Sequence, residues 1–298
     1  VPNDHRIPAP RVLTTAAVLV CSAVLAGCGA GSGAAQGSPG PSAATSTTAS
    51  SPAPAPASAS PAAATATAAK PLAGRTVVVD PGHNPGNFGH GREIARPVDV
   101  GTHRKECDTT GTSTDATGGR PAYTEAAYTL DVSHRLRDLL EARGAKVVLT
   151  HDADRPYGPC VDERARIGNR AAADAVVSVH ADGSAVGNRG FHVIVPAKVK
   201  EGAADTSPIV APSRTLGERI VTAFRRATGT SPANYLGGGT GLDVRSDLGG
   251  LNLSTVPKVF VECGNMRDPK DAALLTSGPW RQKAAQGIAD GIVTYLQG

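Results

Sequence analysis

From Thr76 onward, short runs of β-branched and apolar residues alternate with longer stretches of helical period. Thr76–Asp80, Lys146–Thr150, Ala175–His180, Gly190–Val195 and Lys258–Glu262 read as strands, each four to eight residues long and rich in valine. Ala122–Arg143, Asp162–Ala173, Ser213–Ala227 and Arg281–Leu296 read as helices, and Gly144 follows the first of them at the C′ position. Strands alternating with helices predict an α/β fold, a mostly parallel twisted sheet of about six strands with helices on both faces. The Gly190–Val195 strand is expected to form a hairpin with its predecessor through Asp182-Gly183. Two stretches carry no clear period: the polar Asn84–Gly119 segment and the glycine-rich Asn234–Asn252 segment. The first is long for a loop and is therefore suspected of function.

The first 72 residues follow a different pattern. They contain none of the ten aromatic residues, and their charges are Asp4, Arg6, Arg11 and Lys70 alone. Arg6 and Arg11 precede an uncharged run from Val12 to Gly27, which reads as an export signal too short for a comfortable membrane span. The run ends Leu25-Ala26-Gly27-Cys28, similar to a bacterial lipobox. Residues 1–28 are thus expected to be a lipoprotein signal, with Cys28 as the lipidated residue. Residues 29–72 are Ala, Ser, Thr, Pro and Gly almost throughout and cannot bury enough apolar surface to offset their ordering entropy. They form the expected linker, and 73–298 the folded domain. The reading places the protein outside the cytoplasm, tethered by lipid at the outer face of the cytoplasmic membrane and acting as a monomer. From Ala73 onward there are 27 basic and 25 acidic residues, with no basic stripe interleaved with aromatics, which argues against a nucleic-acid partner.

Several polar residues stand where the pattern asks for apolar ones. Glu125 lies on the stripe of Tyr128, Val132, Leu136 and Leu139, so its carboxylate falls on the buried face of its helix. That position is costly without a partner. His83 follows Val77–Asp80 and Pro81-Gly82, His180 ends a second strand and Glu262 ends another. In a parallel sheet all of these positions, and the amino end of the helix carrying Glu125, share the carboxyl edge where ligands bind. Two imidazoles and a carboxylate match a catalytic zinc site with one position left for water, and a further carboxylate can take the water's proton. Spacing alone leaves open which glutamate binds and which acts as base. Asp80 reads either as a partner orienting His83 or as a cap of the Pro-Gly turn. Cys263, next to Glu262, should face the other side of its strand and pack. With the leader cysteines Cys21 and Cys28 set aside, Cys107 and Cys160 remain, and a disulfide between them is expected in an exported domain. His90, His103, His134, His151 and His192 read as surface or structural residues.

The same residues resemble the zinc-dependent N-acetylmuramoyl-L-alanine amidases of the type-3 family. The matching blocks are Val79-Asp80-Pro81-Gly82-His83, Glu125 opening its helix, Glu163-Arg164, Asn169-Arg170-Ala171, Val177-Ser178-Val179-His180-Ala181, Asp247-Leu248-Gly249 and Val261-Glu262-Cys263-Gly264-Asn265-Met266. The resemblance implies one zinc ion on His83, Glu125 and His180, Glu262 as the catalytic carboxylate, and peptidoglycan or muropeptides as substrate. Asp182 stands where the family usually has Asn, and Cys263 where it usually has Gly. Some relatives insert an inhibitory helix over the metal; Ala197–Pro212 is short and poor in helical pattern, so none is expected here. A carboxypeptidase acting within the stem peptide and an inactive peptidoglycan-binding lipoprotein are the competing readings.

Overall fold

The structure, a computed structural model, describes residues 70–117, 119 and 121–298. The expected leader, Cys28 and nearly all of the expected linker lie outside the described residues. Leu72, read as the end of the linker, is instead buried in the core, and its N–H donates to the Arg143 carbonyl at 2.9 Å. The packed domain thus begins slightly earlier than the composition change suggests.

In chain order the elements are β1 (Thr76–Pro81), α1 (Gly91–Ile94), β2 (Pro97–Asp99), β3 (Arg104–Glu106), α2 (Glu125–Ala142), β4 (Lys146–Leu149), α3 (Val161–Arg170) and β5 (Ala175–Asp182). Then come β6 (His192–Pro196), β7 (Lys200–Glu201), β8 (Ala204–Asp205), α4 (Val210–Thr228), β9 (Leu242–Arg245), α5 (Gly249–Asn252), β10 (Lys258–Asn265), α6 (Pro269–Leu275) and α7 (Gly278–Gln297). Six strands form one sheet in the order β4-β1-β5-β10-β6-β9. All neighbours are parallel except β10 and β6.

The expected hairpin between β5 and β6 does not form. β6 pairs with β10, which lies between them. β10 alternates fully buried Val259, Val261 and Cys263 with Lys258, Phe260 and Glu262, and such a strand belongs in the sheet interior. The connection after β5 crosses its end and is held there by Asn265. The Asn265 Nδ2 donates to the carbonyls of Ser184, Ala185 and Asn188, and its Oδ1 accepts from the Ser184 N–H.

Strand alternation divides the sheet into two unlike faces. One carries Val77, Val79, Val177, Val179, Val259 and Val261, packed under Tyr128, Val132 and Leu136 of α2, Leu216 and Ile220 of α4, and Ile288 and Ile292 of α7. The other carries Val78 and Val176 against α3, and next to them the polar residues Asp80, Ser178 and Lys258, all buried. The Asn84–Gly119 stretch is not featureless: it holds α1 and the β2–β3 hairpin. Asn234–Asn252 likewise holds β9 and α5. Residues 197–209 hold the β7–β8 hairpin, and α4 begins at Val210, three residues before the expected Ser213 and so within the segment read as poor in helical pattern. Cys107 and Cys160 are joined as a disulfide, and Cys263 is a free, buried thiol.

Candidate active site

The carboxyl edge of the sheet brings the predicted side chains together by three separate local devices. β1 ends at Pro81, and His83 then takes a left-handed backbone conformation, φ 62°. That region is uncommon for residues other than glycine, and here it turns the imidazole back over the sheet edge. Gly82 permits the turn for a second reason: a Cβ there would lie 2.4–2.7 Å from three ring atoms of His180. Glu125 is the first residue of α2, behind the N-cap Thr124, whose hydroxyl accepts from the Ala127 N–H. His180 projects from β5 beside Glu262 on β10, its Cα partner in the sheet register.

Glu125 Oε1 is the meeting point. It lies 3.1 Å from His83 Nε2 and 3.0 Å from His180 Nδ1, and it accepts from the Ala181 N–H at 3.2 Å. Its Oε2 accepts from the Thr112 N–H at 2.9 Å. Gly111 lets this loop approach, since a Cβ there would sit 2.7 Å from Glu125 Oε2 and 2.8 Å from His83 Cδ2. The outer nitrogen of each imidazole is also occupied. His83 Nδ1 lies 3.1 Å from the Thr109 carbonyl and 3.6 Å from Asp108 Oδ1. His180 Nε2 lies 3.1 Å from Ser178 Oγ, and its ring stacks on Phe260 at 5.2 Å.

Asp80 is not beside His83. Its carboxylate accepts from Thr150, Arg164, Ser178 and Lys258, and the groups at His83 Nδ1 are Thr109 and Asp108. The Pro-Gly turn ends the strand so sharply that Asp80 points into the α3 side of the sheet while His83 lies past the edge. Sequence reasoning missed Asp108, Thr109, Thr112, Arg164 and Lys258. Arg164 ties the site's floor together: Nη1 donates to Asp80 Oδ1 at 2.8 Å, and Nη2 to Asp108 Oδ2 at 3.0 Å and to the His83 carbonyl at 2.8 Å. A charged residue within the matching block Glu163-Arg164, on the buried side of a short helix, was the available signal.

The electrostatics follow from this crowding. Burial works against a charged His83, but the Glu125 carboxylate and the ring's hydrogen bonds to Asp108 and Glu125 outweigh it and hold its pKa up at about 10. Burial likewise raises Glu125, yet His83 and His180 bring it down well below the usual carboxylate range. Glu262 goes the other way. Burial, with Glu125 and Asp182 close by, pushes its pKa well above the ordinary value. Its Oε2 is buried with no hydrogen-bond partner. Cys263 faces the opposite, apolar side, where burial pushes its thiol up to about 12.

His83, Glu125 and His180 each offer one ligand atom, all within 4.8 Å of one another. Two imidazole nitrogens and a carboxylate oxygen form a donor set suited to a divalent ion of zinc's borderline softness. The unpartnered Glu262 oxygen is the kind of group that a substrate or water beside such an ion would satisfy. Three such donors with a spare carboxylate beside them, at the carboxyl edge of an α/β sheet, are the arrangement a metallohydrolase requires.

Its family is the N-acetylmuramoyl-L-alanine amidases, to which the chain belongs: the family profile matches residues 77–294. The chain is 39% identical over 226 residues to the N-acetylmuramoyl-L-alanine amidase Rv3717 of Mycobacterium tuberculosis, a match covering 76% of this chain and 88% of that one. It is similar in structure to the N-acetylmuramyl-L-alanine amidase Ami1 of Mycobacterium smegmatis, with 39% identity, a TM-score of 0.67, and coverage of 76% of this chain and 98% of that one. The apo form of Ami1 from Mycobacterium abscessus gives 40% identity, a TM-score of 0.67, and coverage of 76% and 100%.

Proposed function

We propose that this amidase cleaves the bond between the lactyl group of N-acetylmuramic acid and L-alanine in peptidoglycan, using zinc held by His83, Glu125 and His180 and using Glu262 as the proton carrier. The observation that carries the reading is the convergence of those three ligand atoms within 4.8 Å beside the orphaned Glu262 oxygen. Bound there, zinc supplies a Lewis acid that polarises the scissile carbonyl and lowers the pKa of water towards neutrality. Glu125 Oε1 presents one oxygen to the shared point, while its Oε2 is held by the Thr112 N–H. Glu262 takes the proton of the attacking water and delivers it to the leaving amine of alanine.

The location follows the same reading. The domain works outside the cytoplasm, where the Cys107–Cys160 disulfide persists. Among the described residues no helix is long and apolar enough to cross a membrane. The cationic start and the Leu25-Ala26-Gly27-Cys28 motif support export and a diacylglyceryl group on Cys28, with the linker giving reach into the wall. Fatty-acid labelling that survives Cys28→Ala would move the lipid off Cys28, and a wild type that takes up no label would remove the lipid from this account.

Product identification tests the reaction. Mass spectrometry of digested muropeptides should show free stem peptides beginning at L-alanine, lost on chelation and restored by zinc. Stem peptides shortened at the carboxyl end would make the enzyme a carboxypeptidase, and no product at all would leave the binding lipoprotein.

A further inference from the structure

Behind His180 lies a chain of hydrogen bonds that the reaction above does not use. β1 and β5 pair with Asp80 opposite Ser178, and Ser178 is two residues before His180, so all three share one face of the sheet. Ser178 Oγ donates to Asp80 Oδ2 at 2.9 Å, and His180 Nε2 lies 3.1 Å from the same Oγ. A hydroxyl has a single hydrogen. Once it is committed to the Asp80 carboxylate, only oxygen lone pairs face His180. With a cation at the shared point, the imidazole then carries its hydrogen on Nε2 and turns the Nδ1 lone pair inward. Nδ1 is the atom 3.0 Å from Glu125 Oε1, at the point where the ligand atoms converge.

Asp80 is itself fixed on every side. Arg164 Nη1 donates to Oδ1 at 2.8 Å, Thr150 Oγ1 to Oδ1 at 2.6 Å and Lys258 Nζ to Oδ2 at 3.1 Å. Asp80, Arg164 and Lys258 are each no more than 5% exposed. A lysine buried at the start of an apolar strand needs such a partner, and Lys258 also lies 5.3 Å over the ring of Phe260, the ring on which His180 stacks. The orientation of His180 is thereby set from three strands and one helix, by Asp80, Ser178, Lys258, Phe260 and Arg164, none of which is among the proposed metal ligands.

We propose that Ser178 and Asp80 are positioning residues for metal capture, with Asp80 fixing the Ser178 hydroxyl and that hydroxyl fixing His180 in the Nε2–H tautomer that presents Nδ1 to zinc. The proposal rests on the reading of His180 as a ligand. Removing outer partners of metal-binding histidines typically weakens metal affinity by about 10–100-fold. Ser178→Ala should therefore bind zinc about 10–100-fold more weakly in competition with a chromophoric chelator, while the metal-free protein keeps its circular dichroism and unfolding midpoint. Ser178→Thr, which retains the hydroxyl, should restore most of the affinity. Proton–nitrogen correlation spectra of the imidazoles in the zinc-loaded wild type should show His180 protonated on Nε2 and ligated through Nδ1. Ligation of His180 through Nε2 overturns the proposal even if Ser178→Ala fails to fold. So does a folded Ser178→Ala whose zinc affinity and His180 spectrum match the wild type. His180→Ala separates the two levels: if it binds zinc as tightly as the wild type, the ligand reading itself fails, whereas lost zinc binding there with an unaffected Ser178→Ala overturns the positioning role alone.

Discussion

Asp80 is buried and ionised, a state it tolerates because Lys258 and Arg164 stand on either side of its carboxylate. Burial alone would raise its pKa; the two cations, with hydrogen bonds from Thr150 and Arg164, reverse the shift and hold the group far below its ordinary value of 3.8. The stabilisation tied to this depressed value is fully present above pH 3.8, the value expected of the unfolded chain, and is lost as pH falls through the region below it. Asp80→Asn removes the charge and leaves Lys258 without its counter-ion in the same buried place. It should cost about 3–5 kcal/mol at pH 7, the usual result of breaking a buried pair from one side. It should also flatten the acid limb of the stability curve. Urea unfolding of the metal-free proteins from pH 7 down to about pH 3 would show both effects. Parallel acid limbs in variant and wild type would remove Asp80 from the set of groups that drive acid unfolding.

At the scale of elements, the decisive one is the segment between β1 and α2. From sequence it reads as a long polar segment suspected of function. In the structure it is fastened at both ends of the site, through Thr109 and Asp108 to His83 and through Thr112 to Glu125. Its anchor is the Cys107–Cys160 disulfide, reinforced by the Val161 N–H donating to the Cys107 carbonyl at 2.8 Å. The bridged residues are 53 apart in sequence, a closure whose chain-entropy worth is about 4 kcal/mol. Cys107→Ser should lower unfolding free energy by up to about that amount, and a reductant should do the same to the wild type but nothing further to the variant. Equal stability of oxidised and reduced wild type would show that the packing around Val98, Val100 and Val161 holds the segment without the bridge. The half of the site visible in sequence was the half made of side chains that violate a pattern. A carboxylate on an apolar helix stripe and imidazoles at strand ends are conspicuous because burial makes them costly. The supporting half gave little signal. Thr112 acts through its backbone N–H, which any residue supplies, while Thr109, with its carbonyl and hydroxyl both at His83 Nδ1, and Asp108 are two of many polar residues in their segment. The β6 error has a similar source: its partner β10 comes some sixty residues later, and local turn chemistry carries no information about a strand that inserts afterwards.

For the molecule as a whole, the three ligand atoms come from the end of β1, the start of α2 and the body of β5. A metal ion held there would cross-link sheet and helix layer, and it would bind the folded chain in preference, because the unfolded chain scatters these residues over nearly a hundred positions. Mass action then makes zinc a stabiliser: free zinc at 100 times its dissociation constant adds about 2.7 kcal/mol. A domain of this size moves its unfolding midpoint by about 2–4 °C per kcal/mol. Chelation should therefore lower the wild-type midpoint by about 5–10 °C, reversibly on return of zinc. His83→Ala should unfold at the same temperature with or without chelator. Glu262→Ala is the informative case, because the proposed mechanism uses its carboxylate for the proton and not for the metal. It should keep the full zinc-dependent shift while turnover falls by at least about 100-fold, the lower end for loss of a positioned acid–base group. A Glu262→Ala protein that lost the shift would make Glu262 a fourth ligand, and the proton would then have to travel by another group.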